Sequence, residues 1–418
     1  MASASTSADV FQGNGRVPTR ALFEAFLEEL DGSRQATPVI SSEIRSEAFK
    51  GFERLDASGG KPGRDWKHDY TRIGTDIPLL QRSTVKHNAH AADGVRFHTP
   101  DTEGGAEFVR TYLGRAVHWR EDKFASLALA FLEKAIVIAV PAAVRVEQPI
   151  DVKYDASGAT GSSFPYTLVV LEPGAEATVV ENAFGGGAFS CGIVEAIVGD
   201  GARLNYIVVQ RADAQSTVLM NRGAVCGQDA SCHWYLAELG GALSRSVVST
   251  RLEGRGASSE ITAFFFNDGD QHVDLASLVE HAVGDSTSRT TIKSAAKDRG
   301  QGRYLGNIRI AENANGSDAA LRDDALLLSK TAHIDSVPAL EIASNDVKAF
   351  HGATVGSIDE EELFYAQSRG IERTEAERMI ALGFFEPALS VFPIEPVRDL
   401  LRMQLTEKAR PAAPTANG

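Results

Sequence analysis

The pattern of apolar and polar positions divides this 418-residue chain into three stretches of different character. In the first, roughly residues 1–120, the segment "PTRALFEAFLEELDG" has apolar side chains at helical spacing on one face: Leu22, Phe23, Phe26, Leu27 and Leu30. This spacing predicts an amphipathic helix. The remainder of the stretch mixes aromatic residues with Gly and Pro, so we expect a helical and loop-rich N-terminal region.

The second stretch, residues 121–355, has no sustained helical period. Short runs rich in Val, Ile and Leu alternate with Gly, Asp and Asn, as in "AIVIAVP", "YTLVVLEPGAEATVVEN" and "GRYLGNIRIAENA". Such runs are typical of β-strands separated by turns. The sequence therefore predicts a mainly β protein whose core is this middle stretch.

An internal repeat distinguishes between two β architectures. A Gly-Ala step precedes a strand-like run at Gly174, Gly201, Gly241 and Gly256, and the separations of 27, 40 and 15 residues lie near multiples of about 13 to 14. Short strands without long helices between them fit a β-sandwich or a parallel β-helix. The sandwich is the commoner fold. The repeat, and the length of the strand-rich stretch, favour a parallel β-helix.

The third stretch, residues 356–408, is helical again. Asp359 with Glu362 and Thr374 with Glu377 have capping-box spacing, while Gly370 and Gly383 stand where helices end. We therefore predict two short helices, 360–369 and 375–382. A third helix in "IEPVRDLLRMQL" would bury four apolar residues: Val397, Leu400, Leu401 and Leu405. The Pro- and Ala-rich tail, residues 409–418, is predicted to be disordered.

Charge and composition argue against a nucleic-acid partner and a membrane span, and they favour a reducing compartment. The formal net charge of -14, without a basic patch, argues against nucleic acid. The longest apolar run, "FASLALAFLEKAIVIAVPAAV", is interrupted by charges and ended by Pro141, so no membrane span is expected. Three scattered cysteines suit free thiols in a reducing compartment, and we expect a cytoplasmic protein.

Common catalytic signatures are absent from the sequence. It has no G-x-x-x-x-G-K-[ST], G-x-G-x-x-G, H-E-x-x-H or G-x-S-x-G motif, so we expect no ATP hydrolysis by this chain. Cys226 and Cys232 with His233 match no standard zinc spacing and are interpreted as buried strand residues. A second group of imidazoles is interpreted as a solvated loop: His87, His90 and His98.

His351 is the most informative candidate, in "DVKAFHGATVGSIDEEELFYAQSRGI" at 346–371. From the residues alone, it ends a strand and packs beside Phe350, and Gly352 supplies the freedom for a turn. A lone histidine of this kind is more often structural than functional. The amino-acid sequence of the surrounding segment favours a functional role.

The segment "LLLSKTAHIDSVPALEIASNDVKAFHGATVGSIDEEELFYAQSRGI" (326–371), followed by "ERTEAERMIALGF", resembles the C-terminal signature of the SufB/SufD family. These proteins are the scaffold subunits of SUF iron-sulfur cluster assembly. Within the family, this segment resembles SufD sequences more than SufB sequences. The resemblance is specific over about the last hundred residues and looser upstream.

This resemblance implies a central right-handed parallel β-helix flanked by helical regions. It also implies a non-catalytic scaffold that pairs with SufB through the β-helix. The C-terminal helices would dock the SufC ABC-type ATPase, in which ATP hydrolysis would reside. The docking residues expected on this ground are Leu363, Phe364, Tyr365, Ser368, Arg369 and Gly370. Of these, Leu363 and Phe364 fit internal packing better than docking, whereas Arg369 and the loop around Gly370 are the better candidates to meet SufC.

By the same resemblance, His351 would lie at the interface with SufB where a nascent cluster forms. Many SufD chains carry a cysteine just before this histidine, but here the residues are Ala349 and Phe350. Because thiolates are the chief cluster ligands, the sulfur ligands would come from SufB. We thus expect an iron-sulfur cluster that is transient and shared with SufB, and none bound by the isolated chain. His351 would be functional in the heterocomplex and a turn residue in the chain alone.

Two other functions remain open at this point. A SufB-like scaffold would carry the cluster itself, although none of the cysteines lies near His351 in sequence. A β-helical enzyme acting on polysaccharide would need paired carboxylates, for which Asp268 and Asp270 are available but read as turn residues. An exposed β-helix edge also makes a homodimer an expected alternative when the partner is absent.

Overall fold

The computed structural model describes nine segments of the chain: 16–32, 40–55, 73–78, 84–87, 94–98, 103–132, 135–155, 161–185 and 188–410. Most of the predicted tail, residues 411–418, lies outside them. The helices of these segments are α1 Thr19–Gly32, α2 Ser42–Arg54, α3 Glu103–Tyr112, α4 Lys123–Ala130, α5 Glu360–Ser368, α6 Arg373–Leu389 and α7 Glu395–Lys408.

Strands fill the middle of the chain. In the described segments they are β1 Arg16–Pro18, β2 Asp76–Pro78, β3 Thr84–His87, β4 Arg96–His98, β5 Ala135–Val140, β6 Ile150–Asp155, β7 Ser162–Ser163, β8 Tyr166–Leu171, β9 Glu176–Gly185, β10 Phe189–Val198, β11 Arg203–Ala212, β12 Thr217–Cys226, β13 Ser231–Glu238, β14 Leu243–Leu252, β15 Ser258–Asn267, β16 His272–His281, β17 Thr287–Ala296, β18 Gln301–Ile310, β19 Ser317–Leu327, β20 His333–Ile342 and β21 Val347–Ser357.

Two long sheets face each other and form a parallel β-solenoid of about seven turns. Sheet 1 has the strand order β20-β18-β16-β14-β12-β10-β8-β5-β4, and β7 pairs with β10. Sheet 2 has the order β21-β19-β17-β15-β13-β11-β9-β6-β3. Within these two sheets β4 and β3, each at one end, pair antiparallel. Strands β1 and β2 form a separate two-stranded antiparallel sheet. The predicted parallel β-helix is confirmed and the sandwich alternative is wrong, because sandwiches are built from antiparallel strands.

Each coil turns at a residue with left-handed backbone. The residues at this turn in successive coils are Ala143, Gly174, Gly201, Asp229, Gly256, Asp285 and Gly316, and all have positive φ. The N–H of Gly174 donates to the carbonyl of Asp200, and the N–H of Gly201 donates to that of Gln228. Gly and Asp are the residues that adopt this conformation at least cost. Three of the four Gly-Ala steps, at Gly174, Gly201 and Gly256, therefore mark this turn, whereas Gly241 precedes β14 of sheet 1 and lies at a different turn.

The coil length explains why the repeat is imprecise. Thr217 pairs with Leu243, 26 residues later, whereas Gln301 pairs with His333, 32 residues later. Each coil contributes one strand to each sheet, so the spacing of about 13 to 14 residues in the sequence is half a coil. Insertions in individual turns account for the variation.

Three apolar clusters hold the molecule together. Inward residues of both sheets, among them Trp234, Phe265 and Tyr206, fill the lumen. Helices α1, α2 and α4 pack on the outer face of sheet 1, where Phe131 and Phe124 are buried. The C-terminal helices α6 and α7 pack on the outer face of sheet 2. The helical flanks thus cover one outer face each.

The helical predictions differ from the structure at both ends of α6 and along α7. Helix α6 begins at Arg373, so Thr374 lies inside it and does not cap it. Of the four residues predicted to be buried by α7, Leu401 and Leu405 are buried, whereas Val397 and Leu400 are half-buried.

Helix α1 buries Leu22, Phe23 and Phe26, as its spacing predicts. Helix α6 runs to Leu389, past Gly383, which was predicted to end it. Its length comes from tertiary packing, since the later residues Phe385, Ala388 and Leu389 are buried against sheet 2. Among the described residues, no helix combines the length and apolar character needed to cross a membrane.

Candidate functional site at the open end of the solenoid

The last coil leaves the solenoid open at one end. Strands β20 and β21 are the terminal strands of sheets 1 and 2 in the described chain, so no later coil covers them. Four large apolar side chains of these strands are exposed: Val337, Ile342, Phe350 and Val355. Apolar side chains grouped at an open sheet edge mark a contact surface for another chain.

His351 lies in the middle of β21, so the prediction that it is a turn residue is wrong. Strands β19 and β21 pair in register over eleven residues, and His351 stands beside Leu321. This long pairing extends the strand through Gly352, whose missing side chain makes room for the Phe350 ring: a Cβ there would lie 3.0 Å from it. Since side chains alternate along a strand, His351 shares the lumen face with buried Leu321. His351 is exposed, and no later coil of the described chain covers this face.

A buried carboxyl group lies on the same lumen face. Asp323 follows Leu321 by two residues in β19 and is inaccessible to solvent. Burial raises its pKa to about 7, and the hydroxyl of Ser336 in β20 offsets part of this rise. Neither carboxylate oxygen has a hydrogen bond of standard geometry among the described residues. Around neutral pH, this group is therefore divided between its charged and neutral forms.

The sequence analysis did not identify Asp323, although the alternation of buried and exposed positions around it indicates an unusual residue. In "SDAALRDDALLL", Asp323 occupies the inward position of an alternation that also contains Ala319, Leu321 and Ala325. A charged residue at a core position of a strand is unusual. Strand alternation within this one run would have identified it.

The cysteines lie far from this open end along the chain and are buried free thiols. Burial, together with Cys226, raises the pKa of the Cys232 thiol. His233 points to the opposite face of β13, where its ring stacks on Tyr235 at 3.7 Å. Burial lowers the pKa of His233 to about 4. Within the described segments, no group of three or more His, Cys, Asp or Glu side chains could hold a metal ion.

The other histidine and aspartate candidates have structural surroundings where they are described. The interpretation of the three histidines as a solvated loop is wrong for the two that are described: His87 is a residue of β3, and His98 is a half-buried residue of β4 whose ring stacks on Phe108 at 5.3 Å. His90 lies outside the described residues. Asp270 forms an ion pair with Arg299 at 2.6 Å, and Asp268 contacts Lys408. Both aspartates occupy the turn between β15 and β16.

Helix α5 presents most of the predicted docking residues to solvent. The Asp359 side chain caps it by accepting from the N–H of Glu361 at 2.8 Å, and Gly370 follows it with φ of +84°. Phe364 is 72% exposed and Tyr365 is 62% exposed, whereas Leu363 is buried. Ser368, Arg369 and Gly370 are exposed as well. The interpretation of Leu363 as a core residue therefore fits the structure, while that of Phe364 as core does not.

Comparison with known proteins identifies the family of this chain. Residues 154–384 match the sequence model described as "SUF system FeS cluster assembly, SufBD core domain". This segment is more than half of the chain. The chain belongs to the SufBD family. The matched segment begins in β6 and ends in α6, so it contains the parallel solenoid from its second coil onward, with His351 and Asp323.

Individual relatives agree with this assignment. The chain is 26% identical over 318 residues to the iron-sulfur cluster assembly protein SufB of Bacillus subtilis, covering 75% of this chain and 68% of that protein. It is 30% identical over 288 residues to a SufBD family iron-sulfur cluster assembly protein of Mycobacterium tuberculosis, covering 67% and 72%. A SufBD family protein of Staphylococcus epidermidis is 26% identical, with 65% of its length covered. The chain thus spans about two thirds of the length of these relatives.

Proposed function

We propose that this SufBD family chain is the SufD-type scaffold subunit of an iron-sulfur cluster assembly complex, itself without catalytic activity. The observation that carries the proposal is the position of His351 on the lumen face of the open terminal coil. An imidazole there is available to iron at a junction between two solenoids. The cluster is cargo that forms at the junction and leaves, and a cytoplasmic location follows from this role.

The placement of the cysteines supports a SufD-type role over a SufB-type role. All three thiols, Cys191, Cys226 and Cys232, are buried, and β20 and β21 contain none. Because clusters are held chiefly by thiolates, this end of the chain needs sulfur ligands from another subunit. The SufB name of the Bacillus subtilis relative favours the alternative role, in which the chain would hold the cluster itself. The absence of a thiol beside His351 argues against that alternative.

The two partners occupy different surfaces in this proposal. A SufB-type subunit pairs with the open end through β20 and β21, where apolar side chains are exposed. An ABC-type ATPase of the SufC kind docks on α5, where Phe364 and Tyr365 offer exposed aromatic area next to Arg369. Exposed aromatic and arginine residues are the usual anchors of protein interfaces. ATP hydrolysis resides in that partner, and its conformational cycle moves the scaffold pair.

The test is co-purification of the chain with the SufB-type and SufC-type subunits of the same organism. The His351→Ala variant is compared with wild type and with a control, His118→Ala, which removes another exposed histidine far along the chain. We expect all three complexes to assemble and only His351→Ala to lose iron and acid-labile sulfide. Equal cluster content in the two variants would contradict the role of His351, and failure of wild type to assemble would contradict the proposal as a whole.

A further inference from the structure

Two rows of alternating charge cross the outer face of sheet 1. In the first, register pairs Arg245 with Asp274, Asp274 with Arg303, and Arg303 with Asp335. This row is called the Asp335 row. Each residue comes from a different coil, so the charges alternate from strand to strand along the solenoid. Opposite charges directly across neighbouring strands stabilise the pairing of those strands.

The second row is six residues further along the same strands. Register pairs Arg251 with Glu280, Glu280 with Arg309, and Arg309 with Glu341. This row is called the Glu341 row. Its ion pairs include Arg251 to Glu280 at 3.4 Å and Arg309 to Glu341 at 3.1 Å. Both rows therefore have the same order of signs, with arginine on β14 and β18 and a carboxylate on β16 and β20.

Both rows end on the edge strand with a carboxylate. Asp335 and Glu341 lie on β20, the terminal strand of sheet 1. Each already has a partner on its inner side or on its own strand: Arg309 pairs with Glu341 at 3.1 Å, and His333 Nε2 lies 2.8 Å from Asp335. An added strand would place its side chains on the outer side of both carboxylates. To continue the alternation of charge, the added strand would need a cationic side chain beside Asp335 and another beside Glu341.

We propose that the β20 edge selects a partner strand with Lys or Arg at two outward positions six residues apart, and that Asp335 and Glu341 are the residues that select it. The inference rests on the proposed function, because the occupant is the terminal strand of a second, non-identical solenoid. Charge complementarity across the junction would extend both rows without a change of sign order. Desolvation in the junction strengthens such pairs relative to the exposed edge.

The same two carboxylates disfavour pairing of β20 with a second copy of itself. In an antiparallel two-fold pairing centred on Pro338, Asp335 faces Glu341 of the second copy, and this happens twice. Like charges directly opposite in a sheet are destabilising. Pro338 also removes one backbone donor from the middle of the edge, as edge strands tolerate. The edge therefore favours a heterodimer over a homodimer built through β20.

The first experiment measures binding of the chain to the SufB-type subunit by titration at low and moderate salt. The variants are the double reversal Asp335→Lys with Glu341→Lys, the neutral pair Asp335→Asn with Glu341→Gln, and a charge-matched control, Glu121→Lys with Glu147→Lys. Glu121 and Glu147 are exposed and are not on β20. We expect the reversal to weaken binding by about tenfold or more, the neutral pair to weaken it less, and the control to bind as wild type does. A reversal that binds like the control overturns the inference.

A second experiment uses only this chain, so its result does not depend on the proposed partner. Wild type, the double reversal, and an equimolar mixture of the two are compared by sedimentation velocity at low salt. Circular dichroism first establishes that the reversed chain is folded. We expect association in the mixture beyond that of either chain alone, decreasing as salt rises. No excess association in the mixture overturns the inference, whereas failure of wild type to bind the SufB-type subunit overturns only the proposed function.

Discussion

Inside the solenoid, Arg222 Nη2 lies 3.1 Å from Glu181 Oε1, and solvent reaches neither side chain. Arg222 also lies 3.5 Å from Glu238 and donates to the Ser246 hydroxyl at 2.8 Å. The strands of these residues belong to both sheets, so the guanidinium links the two walls of the lumen. One cation thereby compensates two buried carboxylates.

The first prediction follows from that arrangement. Arg222→Met leaves Glu181 and Glu238 buried near each other without a cation, and breaking a buried ion pair from one side costs about 3–5 kcal/mol. We expect the free energy of unfolding in urea to fall by this amount. The control, Arg203→Met, removes an exposed arginine at the start of β11 and should change it by less than about 0.5 kcal/mol. Equal stability of the two variants would show that the lumen readily accommodates the uncompensated carboxylates.

The second prediction concerns pH and Asp323. The ordinary pKa of an aspartate is 3.8, and that of Asp323 in the folded chain is about 7. Between these values the folded state holds a proton that the unfolded state has released, so stability decreases as pH rises from about 4 to about 7 and the contribution is lost above that. The shift corresponds to about 4 kcal/mol over this window.

The Asp323→Asn variant tests this directly. It cannot titrate, so its free energy of unfolding should decline less than that of wild type between pH 4 and pH 7, with the difference appearing as a flatter curve of urea midpoint against pH. The control is Asp324→Asn, which removes the neighbouring carboxylate that pairs with Lys293 at 2.8 Å and has a lowered pKa, caused by its bonds to Lys293 and Thr354. Parallel curves for wild type and Asp323→Asn would contradict the assignment.

The fold was largely predictable because its information is local and repeated. The Gly-Ala steps at Gly174 and Gly201 reflect a backbone conformation that few residues adopt, and this requirement recurs in every coil. Stacking in register then follows because the turn returns at the same place in each coil. The end of α6 was not predictable in this way, because Gly383 is overridden by distant contacts of Phe385 with sheet 2.

The site was only partly predictable, for a related reason. His351 was found through the wording of its segment, but its place in a strand depends on eleven residues of pairing with β19, which lies thirty residues earlier in the chain. The charge rows that end at Asp335 and Glu341 join residues from four coils, so register had to be known first. The pattern of residues within one coil predicts that coil, whereas a surface made of residues from several coils can be described only once the pairing of the strands is known.

The third prediction concerns the attachment of the N-terminal region to the solenoid. The Glu195 carboxylate in β10 accepts from the backbone N–H groups of Gly114, Ala116 and Val117 at 2.8–3.0 Å, and from the Tyr166 hydroxyl at 2.8 Å. Glu195→Gln replaces one acceptor oxygen with an NH2 group that faces donors. Because buried donors lose their partner, we expect a loss of about 1–3 kcal/mol.

The measurement is limited proteolysis together with thermal unfolding. Cleavage in the segment after α3 should become faster in Glu195→Gln than in wild type, since the loop at residues 113–117 loses its anchor. Tyr166→Phe removes only one of the four hydrogen bonds and should cost about 1 kcal/mol. If Glu195→Gln is as protected from protease as wild type, the carboxylate does not anchor this loop.

The fourth prediction separates folding from docking in α5. Phe364 and Tyr365 are exposed, whereas the adjacent Leu363 is 1% exposed. Phe364→Ser with Tyr365→Ser should therefore leave the thermal midpoint of the isolated chain nearly unchanged and weaken binding of the SufC-type ATPase, because exposed aromatic anchors carry much of the energy of an interface. In contrast, Leu363→Ala should lower the free energy of unfolding of the isolated chain by about 2–5 kcal/mol, because it leaves a cavity in the core. The two variants are compared by calorimetric titration with the ATPase and by thermal unfolding. If the double serine variant binds the ATPase with wild-type affinity, the docking surface lies elsewhere on the chain.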